Sequence, residues 1–403
     1  MTSRRSDTEI PSRLTSRAGS PPRYLNGNAN GQHQHRHHKR KQNPQQSIEE
    51  FWSRFTSKAP GKAFTILPDN LYARRLAQRH DADEGTYNAF YSYEEAARMC
   101  KEKVEKIVRE CKRVNQKYRD LHFDIEADFQ LAQNGNVPEC LTTLETDHCH
   151  LRPKSVKRVE DIFHRPHFFI KGATANDVRQ GKEGDCWLMS AVSTLSNCDG
   201  LIERVCVARD EKVGVYGFVF HRDGAWISEV IDDKLYLTKE DFHESTLERE
   251  RWLEIQNRKN PEEEYRRQMQ TGSKALYFAQ CSDPNETWLP LLEKAYAKSH
   301  GDFMAIEGGF VGEGIEDLTG GVTSEVFATD ILDKDAFWRD EIMQVNKSFL
   351  FGCAQGGGRT GSRRGVIERH AYSIMEAREI DGKRLVKLRN PWVCLLRLVT
   401  LSP

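Results

Sequence analysis

The chain has 403 residues, with 60 Lys and Arg against 60 Asp and Glu, and 30% of it is charged. That length holds two or three units of ordinary domain size, and the balanced charge excludes a global bias toward polyanions. No stretch approaches the roughly 20 apolar residues of a membrane span. The first residues lack the apolar core of a secretory signal. Ten cysteines without a CxxC pair fit reduced thiols in a cytoplasmic, intracellular protein.

Residues 1–48 are rich in Ser, Arg, Pro, Asn, Gln and His, with nine Lys/Arg against two acidic residues. Such a segment buries too little apolar surface to offset its ordering entropy, so it reads as a disordered basic tail. Its His/Arg/Lys run at 33–41 reads as a solvated face; metal, anionic lipid, nucleic acid or an import receptor are its alternative ligands, and no nucleic-acid partner is indicated. Residues 49–149 form an N-terminal helical region. There Cys100, Val104, Ile107, Val108, Cys111, Val114 and Tyr118 recur at helical spacing, which predicts one amphipathic helix over 93–118. Strands are expected at 213–221 and 225–231, with Arg222-Asp223-Gly224 as the hairpin turn. A charged insertion at 240–272 reads as an exposed helical excursion. The glycines between Gly308 and Gly321 would let the chain cross between two halves with unusual backbone angles; no Walker lysine follows them. Strands are expected at 348–354, 370–375 and 384–388, with a flexible glycine loop at 356–361 before the second of them.

The stretch Gln180-Gly181-Lys182-Glu183-Gly184-Asp185-Cys186-Trp187 carries the chemistry. The run 187–195 that follows reads as a buried helix. Cys186 then lies at a helix N-terminus, where free N–H groups and the macrodipole favour a thiolate. A small buried apolar residue is the plainer reading of the same cysteine. Downstream, His370 opens one strand and Asn390-Pro391-Trp392 closes the next, so adjacent strands would set His370 beside Asn390. The amide oxygen would hold one imidazole tautomer and aim the other nitrogen at sulfur. Trp392 would shield that bond. The order Cys, His, Asn is the one papain-like proteases use.

These residues sit among further blocks: Phe168-Phe169-Ile170-Lys171-Gly172-Ala173-Thr174, Asp232-Asp233-Lys234-Leu235, Asn285-Glu286-Thr287-Trp288, Leu291-Leu292-Glu293-Lys294-Ala295-Tyr296-Ala297-Lys298 and Glu313-Gly314-Ile315-Glu316-Asp317-Leu318-Thr319-Gly320-Gly321-Val322-Thr323. Together, in this order, they resemble the calpain protease core over about 114–392. The resemblance implies an α+β, papain-like two-lobe cysteine protease: a helical lobe at 150–308 with Cys186, and a β-rich, incomplete lobe at 309–392 with His370 and Asn390. It implies a calcium-dependent cysteine endopeptidase performing limited proteolysis of protein substrates through an acyl-enzyme, with regulatory protein partners. The Gln180 amide and the Cys186 N–H would form the oxyanion hole. A first-lobe Ca2+ site would use the carbonyls of Ile170 and Gly172 and the carboxylates of Asp177 and Glu286. There is no EF-hand loop, and no organic cofactor is implied.

The sequence departs from the pattern in three places. Arg369 stands where calpains have glycine before the histidine. The turn between the His370 and Asn390 strands is a few residues short. Residues 393–403 form a divergent tail in place of the segment that supplies a second calcium site. The alternative is therefore a catalytically impaired, calpain-like interaction protein. A transglutaminase-type acyl transferase would prefer Asp at position 390.

Overall fold

The computed structural model describes residues 89–143, 149–243, 260–356, 366–392 and 396–400. The basic tail, most of the 356–361 glycine loop and the first half of the charged insertion lie outside the described residues. Among those described, no helix is long and apolar enough to cross a membrane.

Helix α1 (Ala89–Val114) buries Ala96, Ala97, Cys100, Val104, Ile107 and Cys111, one stripe at helical spacing. It ends sooner than the apolar pattern suggests, because Asn115 takes a left-handed φ of 53°, which asparagine tolerates. Tyr118 lies beyond the helix but is still buried, its N–H donating to the Val213 carbonyl at 2.9 Å. Helix α2 (Ile125–Gln133) follows, capped by Asp124. Then come β1 (Ser155–Arg158), α3 (Val159–Ile162), β2 (Val178–Arg179), α4 (Cys186–Leu195) and α5 (Leu201–Val205).

An antiparallel sheet is formed by β3 (Cys206–Asp210), β4 (Val215–Arg222) and β5 (Ala225–Asp232). Its hairpin turns at Asp223 and Gly224, both with positive φ, the conformation a two-residue type I′ turn requires. The stripe of α1 lies on this sheet, and a Cβ at Gly217 would come within 2.6 Å of the Cys100 sulfur and 2.8 Å of Val104. Strand β6 (Lys234–Leu237) pairs with β1. The second half of the charged insertion is helix α6 (Pro261–Met269), with Pro at its start and an Asn260 cap. Strand β7 (Gln280–Cys281) pairs with β2, and α7 (Trp288–His300) is buried from Trp288 to Ala297.

The glycine-rich stretch behaves differently from expectation. It forms helix α8 (Val311–Thr319), and only its flanks, Gly308 and Gly320, take left-handed angles. Gly314 sits inside the helix because a side chain there would press on Ala191 and Trp187. Helix α9 (Lys334–Asp340) leads to a four-stranded antiparallel sheet ordered β11-β10-β9-β8. Its members are β8 (Gly352–Ala354), β9 (Ala371–Ile380), β10 (Lys383–Arg389) and β11 (Leu396–Thr400). Strand β8 is shorter than the sequence suggests, β9 is longer, and part of the divergent tail joins the sheet as an edge strand. A two-residue turn, Asp381-Gly382, again with positive φ at both, joins β9 to β10. The β9–β10 register slips by one residue between Lys387 and Leu388, leaving Met375 as the extra residue on β9. The Met375 carbonyl is taken up by the side-chain amides of Asn346 (2.7 Å) and Asn197 (3.1 Å).

Three cores result. One joins the α1 stripe to Val215, Val219, Trp226 and Val230 of β4 and β5. The largest surrounds α4 and α7, with Leu188, Met189, Val192, Leu195, Trp288, Leu291 and Tyr296 fully buried. The smallest lies under the four-stranded sheet and contains Trp338, Ile342, Tyr372, Ile374, Val386 and Leu388. Each such large side chain contributes roughly 1.5–3 kcal/mol by leaving water. Helix α4 meets β9 where the last two of these cores join, through a buried hydrogen bond from the Thr194 hydroxyl to the Ser373 hydroxyl at 2.7 Å.

Several sequence blocks turn out to be each other's partners. The Lys294 ammonium, 1% exposed, contacts Asp232 at 2.5 Å and donates to the Lys234 carbonyl at 2.9 Å. Tyr296 donates to Asp317 at 2.6 Å. The Phe168 carbonyl receives the Trp288 N–H at 3.1 Å, and the Asn285 carbonyl the His167 N–H at 2.9 Å. These pairings explain the blocks by folding before any chemistry is invoked.

Candidate active site

Cys186 is the first residue of α4 and Asp185 its N-cap. The loop before it is forced into place: a Cβ at Gly181 would collide with the Phe278 backbone, and the Lys182 N–H donates to the Tyr277 carbonyl at 3.1 Å. Behind Cys186, the Trp187 indole is buried and donates to the Ile306 carbonyl at 2.9 Å, fixing the first turn of the helix.

The Cys186 thiol is half-buried, and the backbone N–H groups of Ala371, Trp187 and Cys186 itself are directed at it. Burial raises its pKa, and the Asp185 charge adds to that, while those amides pull the other way. The net direction is upward, so the helix terminus alone does not produce the thiolate expected from sequence.

Ala371 is the neighbour of His370, so α4 and β9 bring the cysteine and histidine to one place. His370 Nε2 lies 2.8 Å from Asn390 Oδ1. That oxygen also receives the Trp392 N–H at 2.9 Å. An amide oxygen only accepts, so Nε2 carries the proton and Nδ1 is the basic atom. Nδ1 is buried and has no hydrogen-bond partner, so the thiol–imidazole bond is not closed in this conformation. Burial lowers the His370 pKa, and the Asn390 hydrogen bond partly restores it. The Trp392 ring lies 4.0 Å from the imidazole, centroid to centroid, covering one face while remaining 54% exposed.

Gln180 lies in the same loop as Cys186. Its side-chain amide donates to the Glu183 carbonyl at 2.6 Å, and its backbone N–H donates to the Pro391 carbonyl at 3.0 Å. The amide is thus committed to shaping the loop, and it also lowers the Asp185 pKa by hydrogen bonding to that carboxylate.

Of the expected calcium ligands, Ile170 and Glu286 meet directly. The Glu286 carboxylate, 1% exposed, accepts the Ile170 N–H at 2.7 Å. Asp177 closes a capping box with Thr174. Lys171 and Gly172 have successive positive φ values of 65° and 83°. The Glu286 pKa is pushed up to about 7 by burial and, against the Ile170 N–H, by the negative charges of Asp177 and Asp283. Crowded, partly buried carboxylates with neighbouring carbonyls suit a hard divalent cation, which would relieve the repulsion. Among the described residues no three His, Cys, Asp or Glu side chains come together as a metal site, so backbone carbonyls would have to complete the coordination.

Sequence reasoning missed two features here. Glu183, Asp185 and Glu293 form a buried acidic group beside the cysteine, 4%, 0% and 1% exposed. Arg389, wholly buried, also went unremarked. The three acids lie inside the blocks quoted above and Arg389 immediately before Asn390-Pro391-Trp392, but their burial was not readable from charge pattern alone.

A profile described as calpain family cysteine protease matches residues 135–259 and 267–395. Similar proteins include the calpain-type cysteine protease ADL1 of Oryza sativa subsp. japonica, 31% identical over 249 residues, covering 60% of this chain and 10% of the relative. The calpain-type cysteine protease DEK1 of Arabidopsis thaliana is 28% identical over 341 residues, covering 82% of this chain and 14% of the relative. The calpain-2 catalytic subunit of Rattus norvegicus is 27% identical over 337 residues, covering 79% and 41%. The chain thus spans only a minor part of the length of these relatives. With more than half of its residues matched, in the order that sets cysteine, histidine and asparagine together, the chain belongs to the calpain family of cysteine proteases.

Proposed function

We propose that this chain is the catalytic core of an intracellular, calcium-dependent cysteine endopeptidase that cuts protein substrates, built as a papain-like pair of lobes around the α4–β9 junction. The observation that carries the reading is the His370–Asn390 bond of 2.8 Å, which leaves Nδ1 free and buried beside the strand that contacts Cys186.

In this reading Asn390 holds the proton on Nε2, and Nδ1 takes the thiol proton of Cys186. Both groups are neutral when apart, as their shifts indicate. Closing the gap creates a thiolate–imidazolium pair in a site partly shielded by Trp392. The sulfur attacks the peptide carbonyl. The Cys186 N–H and the Gln180 amide stabilise the oxyanion. The imidazolium then protonates the leaving amine, and water hydrolyses the thioester. Ile170, Gly172, Asp177 and Glu286 would hold Ca2+, whose charge, when bound, offsets the acidic crowding there.

The test is casein cleavage by the wild-type chain and Cys186→Ser, with calcium and with chelator. The expected result is calcium-stimulated cleavage by wild type only. Identical behaviour of the two proteins would leave an interaction protein as the better description.

A further inference from the structure

We propose that Arg389 is a positioning residue: it clamps the strand carrying Asn390 to the Ala175–Val178 turn and so fixes His370 opposite Cys186. This rests on the cysteine-protease reading. Arg389 is the last residue of β10 and 0% exposed. Its guanidinium donates to three backbone carbonyls of one short turn: Val178 at 2.9 Å, Ala175 at 3.2 Å and Asn176 at 3.4 Å. A planar fork of donors can span such a set, whereas a lysine ammonium is a point donor.

The next two residues complete the attachment. Asn390 accepts from His370 at 2.8 Å, and the Pro391 carbonyl accepts the Gln180 N–H at 3.0 Å. Three consecutive residues therefore grip, in turn, the start of β2, the histidine, and the loop that delivers Cys186. Only Arg179 separates Val178 from Gln180. The Arg389 side chain and that of Asn390 leave opposite faces of the strand. One face is thus bolted to the cysteine's own segment while the other orients the imidazole. Without the bolt, β10 can shift relative to α4 while both remain folded, and a displacement of about 1 Å at a reacting pair costs on the order of 10²-fold in rate.

The experiment uses the full chain and the variants Arg389→Lys, Arg389→Gln and Arg389→Ala, the last with and without millimolar ethylguanidinium. The readouts are the pH profile of Cys186 alkylation by iodoacetamide, casein hydrolysis and thermal unfolding. Alkylation reports the thiol–imidazole pair without needing a peptide substrate. The expected result is a folded Arg389→Lys whose Cys186 reacts roughly 10²-fold more slowly near neutral pH. Its alkylation pKa, held low in the wild type when the thiol–imidazole pair closes, should rise toward the free-thiol value of about 8.5, and ethylguanidinium should partly rescue the alanine variant. Unchanged alkylation profiles with lowered melting temperature only would overturn the proposal, as would loss of fold in every variant, because a positioning role requires a folded but misaligned state. If the wild type itself shows no cleavage and a Cys186 profile like that of an ordinary thiol, the protease reading fails instead.

Discussion

The buried acids beside the cysteine make a definite statement about stability and pH. Asp185 is 0% exposed, and neither of its carboxylate oxygens has a hydrogen-bond partner of good geometry. Its neighbours Glu183 and Glu293 are also buried and their pKa values are raised, first by burial and then by the Asp185 charge. Burial is likewise the chief cause that raises the Asp185 pKa from 3.8 to about 7. A carboxyl group with a raised pKa binds more protons folded than unfolded, so stability falls as pH climbs from about 4 to about 7 and then levels off. The full shift corresponds to at most on the order of 4 kcal/mol. Asp185→Asn keeps the shape and stays neutral. It should therefore match the wild type near pH 4 and be the more stable protein at pH 8, by an amount approaching that figure. Urea unfolding between pH 4 and 8.5 measures the gap directly. A gap that narrows with rising pH, or a variant less stable at pH 8 than the wild type, would refute the reasoning. Removing the adjacent charge should also lower the alkylation pKa of Cys186, since Asp185 is one of the groups raising it.

Other outcomes follow from single residues. Arg369, with φ of 53° just before His370, is strained for a side-chain-bearing residue. Arg369→Gly should therefore raise stability by about 1 kcal/mol, read as a higher melting temperature; a lower one would show that the arginine side chain outweighs the strain. Lys294→Met takes the 2.5 Å partner from Asp232, which is 0% exposed, and leaves it Lys234 at 3.8 Å. Its cost should be about 3–5 kcal/mol, measured at pH 7. It should shrink in acid, because Lys294 and Lys234 hold Asp232 below its ordinary range despite burial, and that stabilisation is lost as pH falls through the depressed value. Calcium should raise the melting temperature of the wild type by mass action on the folded state. Glu286→Gln should largely abolish the increase; an equal increase in both would place the ion elsewhere.

Much of the site was readable because the chemistry depends on order and local pattern. A cysteine after a glycine-bounded turn and before an apolar run has to start a helix. A histidine and an asparagine on strands joined by a tight turn have to meet. The α1 stripe and the Asp223-Gly224 hairpin were equally local. What was not readable depends on tertiary packing. The glycines of α8 look like breakers, yet Gly314 is helical because Ala191 and Trp187 leave no room for more. Arg389 looks like one more surface cation of a strand until the Ala175–Val178 turn is folded over it. Tyr118 continues the α1 periodicity in sequence but is buried by a separate turn of chain. The unexpected elevation of the Cys186 pKa has the same origin: a helix N-terminus is visible in sequence, and the dielectric around it is not.

The slip at Met375 decides which side of the sheet Asn390 takes. Before the slip, paired residue numbers on β9 and β10 sum to an odd value; after it, Leu388 faces Ile374 and Arg389 faces Ser373, so like parity meets like. Continued by one step, that pairing sets Asn390 on the side of the sheet that carries His370; the earlier pairing would have sent it through to the opposite side. Drawing Met375 into the ladder, so that the earlier pairing ran on, would keep cysteine, histidine and asparagine in place along the chain and yet part the last two in space. Parity across this two-strand ribbon, and not the order of the three residues alone, decides whether His370 and Asn390 meet.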